Sequence, residues 1–194
     1  LSVAGLQALL TKLTPVQTPE ISSLVISLRN DVVLPVDANG TPVALDYSNL
    51  ITALAPHMAS ALGLTSQDMA HLVMRWTEQH YGGVVSFWND IASLDINSTT
   101  FVVPDSALTY CQRLGQVAAI VKGLDLSEPE LELAVNKAKA LNKDATYSRT
   151  ILSAENLMLL SRFHGWVSAL GEQASAALTA LQKGTLTVKL LAEL

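Results

Sequence analysis

The chain has 194 residues, with 12 Lys+Arg against 17 Asp+Glu for a formal charge of −5, and 49% of its residues are hydrophobic although only 5% are aromatic. Ala, Leu and Val therefore carry the apolar mass; with 15% charged residues and a mean hydropathy of +0.33, the composition excludes intrinsic disorder, which needs few aliphatics and high net charge. The acidic balance argues against a phosphate-reading surface, the single Cys111 allows no internal disulfide, and no apolar run of about eighteen residues reads as a membrane span.

In chain order, Thr18-Pro19-Glu20 places a capping hydroxyl before a proline at the first helical position and predicts a helix start. Residues 32–46 break the helical pattern. Asn39-Gly40 is a turn signal with β-branched neighbours, but Pro35 and Pro42 would each remove a ladder donor, so this stretch reads as an extended loop or a short edge hairpin. Gly63 suits a helix stop, and Thr65 with Asp68 has capping-box spacing. Met69, Leu72, Val73 and Trp76 then recur at i, i+3, i+4, i+7, one apolar face of a helix. Residues 95–103 read as a connector, and Pro104-Asp105 opens a helix whose stripe is Ala107, Cys111, Leu114, Ala118 and Val121.

Gly123 reads as a left-handed stop, followed by Ser127 with Glu130 as a second capping box. Leu131, Ala134, Val135, Ala138 and Leu141 form one continuous stripe; residues 142–152 are a polar connector. Ser153 with Asn156 starts the helix carrying Leu157, Leu160, His164 and Val167, and Gly171 stops it. A last stripe, Ala174, Ala177, Leu178 and Leu181, ends at Gly184. The expected fold is all-α: a bundle of about eight to ten sequential antiparallel helices joined by short turns. Its expected organisation is one helical domain over 1–194, divisible into 1–100 and 101–194. The chain opens at Leu1 within an apolar pattern, which is expected of a piece of a longer polypeptide.

Reaction chemistry finds little support. Gly-x-Ser-x-Gly, both glycine-rich phosphate cradles and the paired-histidine zinc spacings are absent, so no catalytic residue, cofactor or metal ligand is expected. His57, His71, His80 and His164 stand singly. His71 and His80 read as a solvated face, and His164 as a half-buried histidine held by a hydrogen bond. Cys111, on an inward stripe, reads as an inert thiol of raised pKa. Glu128, Glu130 and Glu132 read as a solvated helix start that complements the helix N-terminus. The densest aromatic segment is Trp76 to Trp88, with Trp76, His80, Tyr81 and Trp88 as candidate ligand or interface contacts. Rings there could stack on a ligand, but Trp76 and Trp88 filling a helix-helix elbow around Gly82-Gly83 is the plainer reading.

The segment Leu157 to Val167, Leu-x-x-Leu-Ser-Arg-Phe-His-x-Trp-Val, followed by Leu170-Gly171 and an Ala-rich helix, resembles the A subunits of bacterial insecticidal toxin complexes (Tc toxins) in their α-helical shell. Gly63 to Leu72 and Gly123 to Leu131 share the family's helix-turn-helix style. The resemblance implies a non-catalytic piece of the shell around a translocation channel, containing neither pore helices nor toxic enzyme. It implies as partners the rest of the parent chain, neighbouring protomers of a homopentamer, B and C subunits and a host-cell surface receptor, with no membrane insertion by this segment. It also implies a protein that is secreted or displayed on the bacterial surface. Two other readings stay open: a helical interaction module of another bacterial secreted or surface protein, and a small ligand-binding protein built on the Trp76–Trp88 cluster.

Overall fold

A computed structural model describes residues 14–34, 38, 46–98, 101–141 and 153–185. Most of the predicted loop or hairpin at 32–46, the connector 142–152 and the final residues of the Tc-like stretch lie outside these. The described residues are all-helical, with no strand among them. The helices are α1 (Pro19–Asp31), α2 (Tyr47–Leu62), α3 (Gln67–Tyr81), α4 (Val84–Ala92), α5 (Asp105–Gly123), α6 (Glu128–Asn136), the four-residue α7 (Ala138–Leu141), α8 (Ala154–Ala169) and α9 (Ala174–Lys183), with a 3₁₀ turn at Gly171–Gln173. They fall into two compact units, with the boundary after Ala118 inside α5.

In the first unit, α1 begins as its sequence dictates. Thr18 Oγ1 accepts the Ile21 amide and Pro19 occupies the first turn, where its missing N–H costs nothing. Asp46 caps α2 through the Asn49 amide at 2.8 Å. Pro56 sits inside α2 and removes one ladder donor, a change that costs roughly 3 kcal/mol in a helix interior. The opposite face buries Leu50, Ile51, Leu54 and Met58, each worth roughly 1.5–3 kcal/mol, so packing outweighs the broken bond. α2 packs against α3 as its main neighbour and also touches α1 and α4. The Met69-Leu72-Val73-Trp76 stripe of α3 is buried throughout.

The connector before α5 is tied down by one side chain. Gln17 Nε2 donates to the Phe101 carbonyl at 3.3 Å, while its Oε1 accepts the Val103 amide at 2.9 Å. Both bonds satisfy backbone groups that no helix would serve.

In the second unit, α9 packs on α6 and α8. Leu133, Phe163, Val167 and Leu178 form a buried cluster, with Leu141, Trp166, Ala174 and Leu181 packed against it.

Three local readings need correction. The cap of α3 is Ser66, not Thr65: the Ser66 hydroxyl accepts the Met69 amide at 3.0 Å. The left-handed residue after α5 is Asp125 (φ 54°), while Gly123 belongs to the helix itself. The stripe Leu131 to Leu141 is not one helix, because Lys137 (φ −135°, ψ 36°) leaves helical geometry and separates α6 from α7. Gly63, Gly171 and Gly184 do take positive φ at helix ends. No helix among the described residues is long and apolar enough to cross a membrane.

Candidate functional site

The aromatic candidates sit at the junction of α3 and α4 in the first unit. The chain passes from α3 to α4 through two residues, Gly82 (φ 63°, ψ −168°) and Gly83 (φ 104°, ψ −1°), conformations that side-chain-bearing residues rarely adopt. Gly83 has no side chain with which to cap α4. Glu78, one turn back on α3, does so instead: its Oε2 accepts the Val84 amide at 3.0 Å. The Gly82 amide meanwhile donates to the Glu78 carbonyl, closing α3.

Trp76 is 1% exposed and Trp88 is 6% exposed, so both indoles are packing groups in this structure. Phe87 of α4 stacks on Tyr110 of α5 with ring centroids 4.9 Å apart. Half-buried His80 stands between Trp76 and Tyr81, 6.4 and 6.1 Å from their ring centroids. Tyr81 retains exposed ring area (37%), yet the Arg113 guanidinium lies over one of its faces at 4.7 Å. Of the four predicted contacts, Trp76, His80 and Tyr81 therefore form one run of rings, and Trp88 is buried on α4. An open stacking platform needs exposed flat faces, and Tyr81 is the ring here with substantial exposure.

The electrostatics of the junction follow from burial. Desolvation pushes the Tyr110 phenol well above its ordinary range, with the Glu78 charge adding to it, and the buried hydroxyl has no hydrogen-bond partner among the described residues. Burial raises Tyr81 too, opposed by Arg113. The Cys111 thiol is pushed up to about 12, chiefly by burial. His71 is half-buried rather than solvated; desolvation and then the Arg75 charge lower its pKa, against a smaller pull from Asp68.

A second polar constellation, in the other unit, went unanticipated. Glu130 is not solvated like Glu128 and Glu132: it is 1% exposed. Its Oε2 accepts both the Ser127 amide (2.8 Å) and the Ser127 hydroxyl (2.5 Å), and its Oε1 accepts His164 Nδ1–H at 3.0 Å. A buried carboxylate must find such partners, because an unpaired buried charge costs several kcal/mol. On the far side of the ring, Ser168 Oγ lies 3.3 Å from His164 Nε2. The sequence pointed to a half-buried His164 held by a hydrogen bond, but not to its partner thirty-four positions away. The one available signal was a capping-box glutamate directly followed by buried Leu131.

The order carboxylate, imidazole, hydroxyl is that of an acyl-transfer triad, so its chemistry merits a test against geometry. The carboxylate fixes a hydrogen on Nδ1 and orients the ring. The hydroxyl, however, sits in the last turn of α8, at the negative end of the helix dipole, which disfavours a developing oxyanion. Its own amide lies inside the helix rather than facing a substrate. The arrangement can pin α6 to α8; it offers no electrostatic stabilisation to a tetrahedral intermediate. Among the described residues, no three His, Cys, Asp or Glu side chains are grouped to hold a metal ion.

An open groove of about 880 Å³ runs along the first unit between α1, α2 and α5. Ser23 and Leu24 of α1, His57 and Ala61 of α2, and Leu108 and Cys111 of α5 line it.

No family model matches the sequence, and no curated protein matches it. Among solved structures the chain is similar to Morganella morganii TcdA4, determined by cryo-electron microscopy. The TM-score is 0.75 and the identity 27%. The likeness covers 99% of this chain and 8% of that one, so the chain spans a small part of the length of the protein it matches.

Proposed function

We propose that this chain is a non-catalytic segment of the helical shell of a Tc toxin A subunit, a large secreted protein that forms a pore and passes a toxic enzyme through it. The carrying observation is the likeness to TcdA4, a Tc toxin A subunit, which runs over 99% of the chain. It extends well beyond the Leu157–Val167 segment where the sequence resemblance is densest. The role assigned is support: packed rods that hold their place against the rest of the parent chain and against neighbouring protomers of a homopentamer. B and C subunits and a host receptor would be partners of the whole assembly.

The test is to purify the product of the complete reading frame and image it by electron microscopy, with a small tag inserted between Ile96 and Asn97, in an exposed turn. The expected result is a pentamer with five tag densities on its outer wall. Tag density on the channel axis, or a product that stays monomeric, would overturn the proposal. A fluorophosphonate probe should leave Ser168 unlabelled; stoichiometric labelling would end the non-catalytic part of the reading.

A further inference from the structure

We draw no further inference here: the strongest candidate, the open groove between α1, α2 and α5 with Leu108 and Cys111 among its lining residues, carries nothing because no feature of the structure shows what covers it.

Discussion

Glu130 does two jobs with one carboxylate. It closes the N-terminus of α6 through Ser127 and holds the ring of His164 on α8. Replacing it with alanine strands the Ser127 amide and one ring nitrogen and opens a cavity beside Leu131. Glu130→Ala is therefore expected to cost about 2–4 kcal/mol, read as a lowered urea midpoint with unchanged slope. His164→Ala should cost as much or nearly so, because it leaves the buried carboxylate one partner short, and the double variant should cost less than the two losses added together. Strict additivity would show that the 3.0 Å contact contributes nothing.

Cys111, half-buried on the groove wall, makes a prediction of opposite character, about slowed chemistry. A thiol pushed from near 9 to about 12 holds roughly a thousandfold less thiolate at pH 8. Ellman's reagent should thus react slowly with the folded chain and rapidly in urea; equal rates would place the thiol in water. The same shift sets a pH dependence. Folding favours the neutral thiol, so the contribution is fully present below about pH 9 and is lost as pH rises toward 12. Tyr110, also raised by burial, acts in the same direction. The urea midpoint should fall above pH 9, and Cys111→Ala should flatten part of that fall.

At the scale of elements, glycines separate by backbone rather than by neighbourhood. Gly82 and Gly83 turn α3 into α4 with conformations hostile to a Cβ, although a Cβ on Gly83 would only be in ordinary contact with the Tyr110 ring at 3.5 Å. Gly83→Ala should destabilise by about 1–2 kcal/mol. Gly115 lies exposed in α5 with open space around it, so Gly115→Ala should stabilise by about 0.5–1 kcal/mol through the entropy of the unfolded chain. Paired thermal melts check both signs at once.

Helix positions were legible where a signal is local. Thr18-Pro19, Pro104-Asp105, Ser127-x-x-Glu130 and Ser153 each start a helix where the residue chemistry says one should. Legibility failed where two residues close in sequence compete for one role. Thr65 and Ser66 can both cap, and the choice depends on which hydroxyl meets an amide after packing. Gly123 and Asp125 can both adopt positive φ, and Asp125 took it. The break at Lys137 leaves no mark in hydrophobic periodicity, since Ala134, Val135 and Ala138 are buried on both sides of it.

For the molecule as a whole, composition and periodicity were enough to specify the all-helical build of the described residues, because aliphatic stripes at helical spacing have few other uses. The aromatic candidates were placed by pattern near one junction, but pattern does not reveal depth: Trp76 and Tyr81 differ by thirty-six percentage points in exposure while sitting five residues apart. The Glu130–His164 pair was invisible for a related reason, since a contact between distant helices is written in three dimensions and not in spacing. The likeness to TcdA4 along almost the full chain shows that the arrangement survives with 27% of residues identical, as expected where volume and polarity at buried positions matter more than particular side chains.

The shared carboxylate has a consequence for motion. A helix end normally frays by itself, its first amides trading protons for deuterium in brief local openings. Here the first turn of α6 cannot loosen without also releasing the imidazole on α8. The amides of Leu131 and of the residues following it should therefore exchange in step with those around His164, as one cooperative block, and Glu130→Gln should uncouple the two so that the start of α6 exchanges faster on its own.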